Sequence, residues 1–180
     1  GFAVAKVDGA TGAELWRTNI TSASNAEAIA VDSSGDVFAV GQSEVAGDDR
    51  LFLVKLDGAT GAEFWRVELD PGYEGLGNDV AVDTSGDVVV GGWVELPFTG
   101  FVWFIAIKFD GALGTELWRH QLFPIGSASA ISFDATDDVI AVGGVGELFE
   151  PFGQRPNAVK LDGATGTLLW RTAIAELGTV

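Results

Sequence analysis

The feature that most constrains the fold is a short stretch that occurs four times. Its second copy reads Lys-Leu-Asp-Gly-Ala-Thr-Gly-Ala-Glu-Phe-Trp-Arg, residues 55–66. Every copy keeps an Asp, a Gly and a Trp at the same offsets. These motif residues are Asp8, Gly12, Trp16, Asp57, Gly61, Trp65, Asp110, Gly114, Trp118, Asp162, Gly166 and Trp170. The four motif Trp residues lie 49, 53 and 52 positions apart along the chain. A period near fifty residues with one tight turn per unit predicts a repeat architecture.

The motif predicts a β-hairpin. Its Asp-Gly-Ala-Thr-Gly segment is a turn in which Asp bonds its own backbone and Gly takes positive φ without penalty. Counting back equally from the two ends of the turn sets a Lys opposite a Glu in three copies. The pairs are Lys6 with Glu14, Lys55 with Glu63 and Lys108 with Glu116, whereas the fourth copy has Leu168 at the Glu position. We expect each pair to contribute about 0.2–1 kcal/mol.

A second turn recurs at the same period. Asp32-Ser-Ser-Gly-Asp36 lies between two β-branched runs, and residues 83–87 and 134–138 repeat it. Each full unit therefore has four strands, A to D, with this turn joining A to B and the Asp-Gly-Ala-Thr-Gly turn joining C to D. No useful stretch shows a helical period.

Four antiparallel strands per unit of about fifty residues predict the blades of a β-propeller. The fold class is all-β, with about three and a half four-stranded blades in the order C-D, A-B-C-D, A-B-C-D, A-B-C-D. We expect one array over residues 1–180, divided into a half blade at 1–20 and blades at 21–70, 71–123 and 124–180. Runs 87–93 and 101–107 barely alternate in polarity, which indicates strands buried on both faces. Each motif Trp is predicted to lie in strand D against the next blade.

The predicted array is incomplete. Rings need roughly 4–8 blades, and an open arc leaves unpaired strand edges. We therefore expect either a longer chain or self-association, and two copies would supply seven blade positions. The sequence opens at Gly1 without Met or a signal-peptide pattern, which predicts a chain that is processed, trimmed or cut from a longer one.

Charge excludes some partners. There are 26 acidic and 10 basic residues, for a net charge of −16. Eight of the ten basic residues belong to the four repeated stretches, so no basic patch is left for nucleic acid or an anionic membrane surface. Cysteine is absent, which excludes disulfides. No apolar run approaches the roughly 18 residues of a spanning helix.

The repeated motif Asp-Gly-Ala-Thr-Gly-Ala-Glu-Leu-Trp resembles the tryptophan-docking motif of quinoprotein-type (PQQ-like) β-propellers. The A–B stretch, residues 78–92, looks like the bacterial propeller repeats of secreted and cell-surface proteins. The resemblance implies the propeller fold over nearly the whole chain. This chain departs from the family in having Lys two residues before each Asp, where Ala is usual, and Ala or Thr after the second Gly, where Lys is usual. The departure favours the non-enzymatic repeat branch over the cofactor-dependent dehydrogenases.

Few side chains suggest chemistry. His120 is the only histidine, with no second metal ligand and no nearby Ser for a triad, so we interpret it as structural. The acidic A–B turns are interpreted as hairpin formers. Asp134, Asp137 and Asp138 are the exception, because adjacent carboxylates can hold Ca²⁺. We predict no catalytic residue and no cofactor.

The irregular connections carry the candidate binding residues. B–C and D–A connections share one face of a propeller, and the irregular segments are 42–50, 69–77, 94–100, 121–126 and 145–156. The partner-binding candidates are Tyr73, Phe98, Phe149, Phe152 and Arg155, since aromatics and Arg are typical anchors. The alternative is that these Phe side chains pack under their own loops.

The sequence therefore predicts a non-catalytic propeller scaffold for protein–protein interaction or self-assembly, bacterial and either extracellular or periplasmic. Its partner is a second copy or the rest of a longer propeller, and another protein is an option. A carbohydrate- or calcium-binding adhesion module is the alternative. A fragment of a quinone-dependent oxidoreductase is the second alternative.

Overall fold

Both repeated turns join antiparallel strands in the computed structural model of the chain. The structure describes residues 1–45, 47–69, 74–95, 100–122, 125–146 and 155–174. In the A–B turn, the Asp32 N–H donates to the Asp36 carbonyl at 3.0 Å. In the C–D turn, the Asp57 N–H donates to the Ala62 carbonyl at 2.8 Å. These closing bonds set the ends of the strands on either side.

The described residues form fourteen strands. They are β1 (Phe2–Val7), β2 (Glu14–Ile20), β3 (Ala23–Val31), β4 (Val37–Val45), β5 (Asp48–Leu56), β6 (Glu63–Glu68), β7 (Glu74–Val82), β8 (Val88–Glu95), β9 (Val102–Phe109), β10 (Glu116–Leu122), β11 (Ile125–Phe133), β12 (Val139–Gly146), β13 (Arg155–Leu161) and β14 (Leu168–Ala173). They build one two-stranded sheet, β1-β2, and three four-stranded sheets, β3 to β6, β7 to β10 and β11 to β14, each in sequence order. Every pairing is antiparallel. The predicted all-β partial β-propeller, with its order C-D and then three times A-B-C-D, is confirmed.

Three apolar layers hold neighbouring sheets together. The first contains Phe2 and Val4 of β1 with Phe52 of β5, and the rings of Phe2 and Phe52 meet edge to face at 5.3 Å. The second lies between the sheets of β3–β6 and β7–β10, and the third between the sheets of β7–β10 and β11–β14. The middle strands β8 and β9 are buried almost throughout, as their uninterrupted apolar runs predict.

The predicted Lys–Glu pairs across the C–D hairpin are wrong. Lys55 lies opposite Trp65, while Glu63 lies opposite Leu56. The turn closes one residue later than the motif suggests, and a bulge at Phe64 takes up a further residue, which shifts the register. The same holds for Lys6 with Glu14 and for Lys108 with Glu116. Each Glu instead pairs with the Arg three residues later, as Glu116 does with Arg119 at 2.7 Å. Exposed pairs of this kind contribute little.

One predicted irregular connection is also wrong. Most of 42–50 is strand, because β4 and β5 stay paired as far as Val45 and Asp48. The paired strands therefore continue through most of a segment that the sequence predicted to be an irregular connection. In the described part of the chain, no helix has the length and apolarity to span a membrane.

Candidate interaction site

The C–D turn is a rigid platform made by its own Asp. In the second copy, Asp57 Oδ1 accepts hydrogen bonds from Ala59 N at 2.9 Å, Thr60 N at 2.7 Å and Thr60 Oγ1 at 2.8 Å. The hydrogen bond from the Thr60 hydroxyl lowers the pKa of Asp57 below its usual value. Gly61 closes the turn at φ 74°, a conformation that residues with a Cβ rarely adopt.

The C–D turns of the second, third and fourth sheets each receive the Trp of the preceding sheet. Trp65 Nε1 donates to the carbonyl of Gly111 at 3.3 Å. Its ring covers Gly114, where an added Cβ would lie 2.8 Å from Trp65 Cε3. The same donation joins Trp16 to Gly58 at 3.2 Å and Trp118 to Gly163 at 3.1 Å. A flat apolar ring with one polar donor at its edge thus bridges two sheets.

The Lys of the first three motifs donates to the same carbonyl as the Trp of its own sheet. Lys108 Nζ donates to the Gly163 carbonyl at 3.0 Å. It also lies 2.7 Å from Asp83 Oδ2 and 3.8 Å from Asp87 Oδ2, in the A–B turn of its own sheet. Lys108 and Asp83 are both almost fully buried. Since a buried charge must be paired to be tolerated, this Lys links its own A–B turn to the next sheet.

Lys55 repeats the whole arrangement, Lys160 repeats the pairing with its own A–B turn, and Lys6 repeats the hydrogen bond to the next sheet. Lys55 donates to Gly111 O at 3.1 Å and pairs with Asp32 and Asp36 at 3.1 and 3.6 Å; Lys160 pairs with Asp134 and Asp138 at 2.8 and 3.0 Å; Lys6 donates to Gly58 O at 2.6 Å. The motif pattern predicted none of these contacts. The signal was present, however, since a Lys and two Asp residues recur at the same period as the Trp.

The first Gly of the C–D turn has no room for a side chain in three sheets. A Cβ on Gly111 would lie well under 3.0 Å from the carbonyl oxygen of Gly86 in the A–B turn of the same sheet. Gly58 meets Gly35, and Gly163 meets Asp137, in the same way. The Gly111 N–H also donates to Asp87 Oδ1 at 3.1 Å. The A–B and C–D turns of one sheet are therefore locked against each other.

The described residues at the two ends of the array leave half of this arrangement unused. Trp118 is 8% exposed, whereas Trp170 in the last sheet is 43% exposed. At the other end, nothing lies within 4 Å of a Cβ built on Gly9 or on Gly12.

The three residues predicted to bind calcium do not converge. The Lys160 ammonium lies between Asp134 and Asp138, and its hydrogen bond holds the pKa of Asp134 far below the usual range. Asp137, at φ 58°, instead accepts hydrogen bonds from Thr84 in the neighbouring sheet. Among the residues described, no group of three or more acidic or histidine side chains has a metal-binding arrangement. Calcium binding here stays a prediction, and calorimetric titration with Ca²⁺ tests it.

Five residues were predicted to bind a partner. Tyr73, Phe98, Phe149 and Phe152 lie outside the described residues, and Arg155 is exposed at the start of β13. Their role stays a prediction.

His120 contacts the neighbouring sheet through a hydrogen bond with the backbone of Gly166, while its Nε2 is buried and has no hydrogen-bond partner in the described part of the chain. Burial lowers the pKa of His120 below 6.5, and the bond to Gly166 opposes this shift only in part. The folded protein therefore favours the neutral ring.

Acidification should lower the stability of the fold around His120, because burial opposes protonation of the ring. As pH falls below about 6.5 the unfolded chain takes up a proton that the folded chain resists. The stability that the neutral His120 contributes is then lost progressively, until the pH reaches the pKa of His120 in the folded protein. We expect a loss of less than about 1 kcal/mol between pH 7 and pH 5, since the ring is only partly buried. His120→Thr introduces the residue type that Thr18 has at the equivalent position. Between pH 7 and pH 5, its free energy of unfolding measured in urea should fall less than that of the wild-type chain. Equal losses would contradict this account.

Comparisons with known proteins agree with this geometry. The family model described as "Outer membrane protein assembly factor BamB" matches residues 2–91. No curated protein matches the chain. Among solved structures, BamB from Moraxella catarrhalis is 19% identical over 87% of this chain and 38% of that chain, with a TM-score of 0.56.

Two quinohemoprotein alcohol dehydrogenases are also similar. The protein from Comamonas testosteroni is 18% identical over 95% of this chain and 32% of that one, with a TM-score of 0.67. ADHIIG from Pseudomonas putida HK5 is 18% identical over 95% of this chain and 31% of that one, with a TM-score of 0.65. At such identities the likeness concerns the fold. This chain spans between 31% and 38% of the length of these structures.

Proposed function

The chain belongs to the propeller-repeat family described as outer membrane protein assembly factor BamB, and on that premise we propose that it is a non-catalytic scaffold that binds proteins through its sheet surfaces, outside the cytoplasm of a bacterium. One observation carries the proposal. The two ends of the array hold complementary halves of the junction that joins its inner sheets, and neither half is filled by the described residues.

The last sheet presents the half that inserts. Its outward side holds Ile140 and Ala158 beside the exposed Trp170. The equivalent positions in the second sheet are Phe38 and Leu53, which are completely buried against the third sheet. The equivalent face of the second sheet is buried by its neighbour. The same apolar face on the last sheet is therefore suited to binding a protein partner.

The first sheet presents the half that receives. Gly12 has φ 71°, as Gly61, Gly114 and Gly166 do at the equivalent positions. Those three each lie beneath a Trp ring, whereas nothing lies within 4 Å of a Cβ built on Gly12. The turn of residues 8–12 therefore has the backbone conformation of the turns that a Trp ring covers, but no described Trp ring lies on it.

We propose that Trp170 of one copy packs on the Gly12 turn of another, or on the matching turn of further blades in a longer chain. Such a contact is heterologous, joining two different surfaces, so it closes a ring when the rotation permits and otherwise builds an open assembly. Self-association is the version that this chain allows us to test directly.

Sedimentation velocity at rising concentration tests the proposal. We expect wild-type chain to form a discrete dimer or larger ring and Trp170→Ala to sediment as a monomer. Leu169→Ala is the matched control. Leu169 is about as exposed as Trp170, but its counterpart Leu117 stays 49% exposed beside a filled junction, so Leu169 lies outside the contact. A wild-type chain that is monomeric at every concentration would refute self-association, and equal masses for all three would refute a role for Trp170.

A further inference from the structure

We propose that the two-stranded sheet β1-β2 binds a β-hairpin whose turn carries two carboxylates, of the type Asp-Xaa-Xaa-Gly-Asp. The inference rests on the proposed role as a protein-binding scaffold and names the partner of its first sheet. Four features of this sheet and its neighbour carry it.

The first feature is the free edge of β1. In the other three sheets the strand that carries the motif Lys pairs on both sides, as β5 does with β4 and β6. Among the strands that the structure describes, β1 pairs with β2 alone. A free edge offers a row of backbone donors and acceptors to an added strand.

The second feature is the charge beside that edge. Lys55, Lys108 and Lys160 each lie within 4.0 Å of two carboxylates from an A–B turn. Lys6 already donates to the Gly58 carbonyl at 2.6 Å, yet among the described residues no carboxylate pairs with it. An ammonium has three donors. Lys6 can therefore still donate to the two carboxylates of an A–B turn, as its counterparts do.

The third feature is the space above Gly9. Gly58, Gly111 and Gly163 need to be glycine, since the carbonyl of an A–B turn occupies the place of their Cβ. Gly9 stands at the same position with nothing within 4 Å, so within the described structure it does not need to be glycine. The position is shaped for a turn that would pack on it.

The fourth feature is an uncovered apolar surface on β3. Ile29 is 60% exposed, whereas Val80 and Ile131 at the equivalent positions are 5% and 6% exposed. Those two lie in the apolar layers shared with the preceding sheet, which has A and B strands where the first sheet has only β1 and β2. A hairpin added beside β1 would cover Ile29 and Val31 as well as pair with the edge.

Together the features select the occupant. An added strand without charge would use the edge and the apolar surface but leave Lys6 unpaired. A turn with two Asp residues satisfies the edge, Lys6 and Gly9 at once, with a partner carboxylate accepting from the Gly9 N–H as Asp36 accepts from Gly58 at 3.0 Å. Residues 26–41 of this chain form such a hairpin and serve as the probe.

The test uses a labelled peptide of residues 26–41 and the whole chain. We expect saturable one-to-one binding by fluorescence anisotropy and slower amide exchange along β1. A peptide with Asp32→Asn and Asp36→Asn keeps the turn acceptors but loses the charge, and Lys6→Met removes the cation. Since hydrogen bonds to charged groups are the stronger ones, each change should weaken binding about tenfold or more.

Gly9→Ala gives the sharpest discrimination. It adds one methyl group in open space and should leave the melting temperature of the free chain unchanged, yet it should abolish hairpin binding. Equal binding by Gly9→Ala or by the Asn-containing peptide would overturn the proposal.

A fused variant guards against a peptide that does not fold by itself. Gly1 holds the position of Arg50 relative to the motif Lys, so residues 23–49 placed directly ahead of Gly1 reproduce the connection from β4 to β5 at high effective concentration. We expect the β1 amides to become protected and Gly9→Ala to remove the protection. Unchanged β1 exchange in the fusion would refute hairpin binding, while the sedimentation of the unfused chain reports separately on self-association.

Discussion

The Gly111→Ala variant will lose at least about 3 kcal/mol of unfolding free energy. The added methyl group would overlap the backbone carbonyl of Gly86, which cannot rotate away as a side chain can. Overpacking alone costs about 1–3 kcal/mol. Separating the two turns also breaks the bond from the Gly111 N–H to Asp87 and moves the carbonyl that receives Lys55 and Trp65, with about 1 kcal/mol for each bond.

Gly9→Ala is the control for this prediction. It makes the same chemical change at the same place in the motif, but none of the described A–B turns packs on Gly9. We expect it to change the unfolding free energy by less than about 0.5 kcal/mol. Urea unfolding with unchanged m-values measures both variants. Similar losses for the two would mean that the glycines are needed for the turn itself rather than for packing between turns.

Truncating Trp118 should have a comparably large effect. Its ring is buried between the third and fourth sheets, covers Gly166 and donates to Gly163. Removing a buried aromatic side chain leaves a cavity and costs about 3–5 kcal/mol. Trp118→Ala should lower the midpoint of urea unfolding accordingly.

Trp170→Ala is the matched control for Trp118→Ala. The same side chain in the same motif is 43% exposed there, and no sheet within the described residues packs on it. Measured at a concentration where the chain is monomeric, it should lose less than about 1 kcal/mol. A loss as large as that of Trp118→Ala would show that the Trp acts within its own hairpin and not between sheets.

Local turn chemistry was enough to predict the architecture. Asp at the start of a turn and Gly at positive φ act within five residues, so the offsets of Asp57 and Gly61 locate a hairpin without any tertiary information. The repeat then fixes the order of strands. Buried inner strands follow from their uninterrupted apolar runs.

Contacts between sheets were harder to predict. The turn closes one residue later than the motif suggests and the bulge at Phe64 adds another, and together they moved Lys55 from Glu63 to Trp65. The Lys55 ammonium then finds its partners in Asp32 of its own sheet and Gly111 of the next. Such partners lie more than twenty residues away along the chain, beyond any local pattern. The period shared by the Lys and the paired Asp residues was the available clue.

The candidate site was predicted only in part, for a similar reason. Aromatic composition pointed to the irregular connections, where Arg155 is the one predicted residue that the structure describes. The unfilled junction halves at Gly12 and Trp170 cannot be distinguished in sequence from their filled counterparts, because the motif is the same in all four copies. The order of the repeats predicted an open arc, but only the packing reveals which residues meet at a filled junction.

Hydrogen exchange of the indole N–H groups tests the central claim most directly, namely that the Trp of each sheet is held by the turn of the next. The chain has six Trp residues, whose indole signals in a ¹H–¹⁵N spectrum are assigned by single Trp→Phe variants. In the monomeric chain, we predict slow exchange for Trp16, Trp65 and Trp118, which donate to Gly carbonyls, and fast exchange for Trp170. Exchange of Trp118 as fast as that of Trp170 would contradict the account.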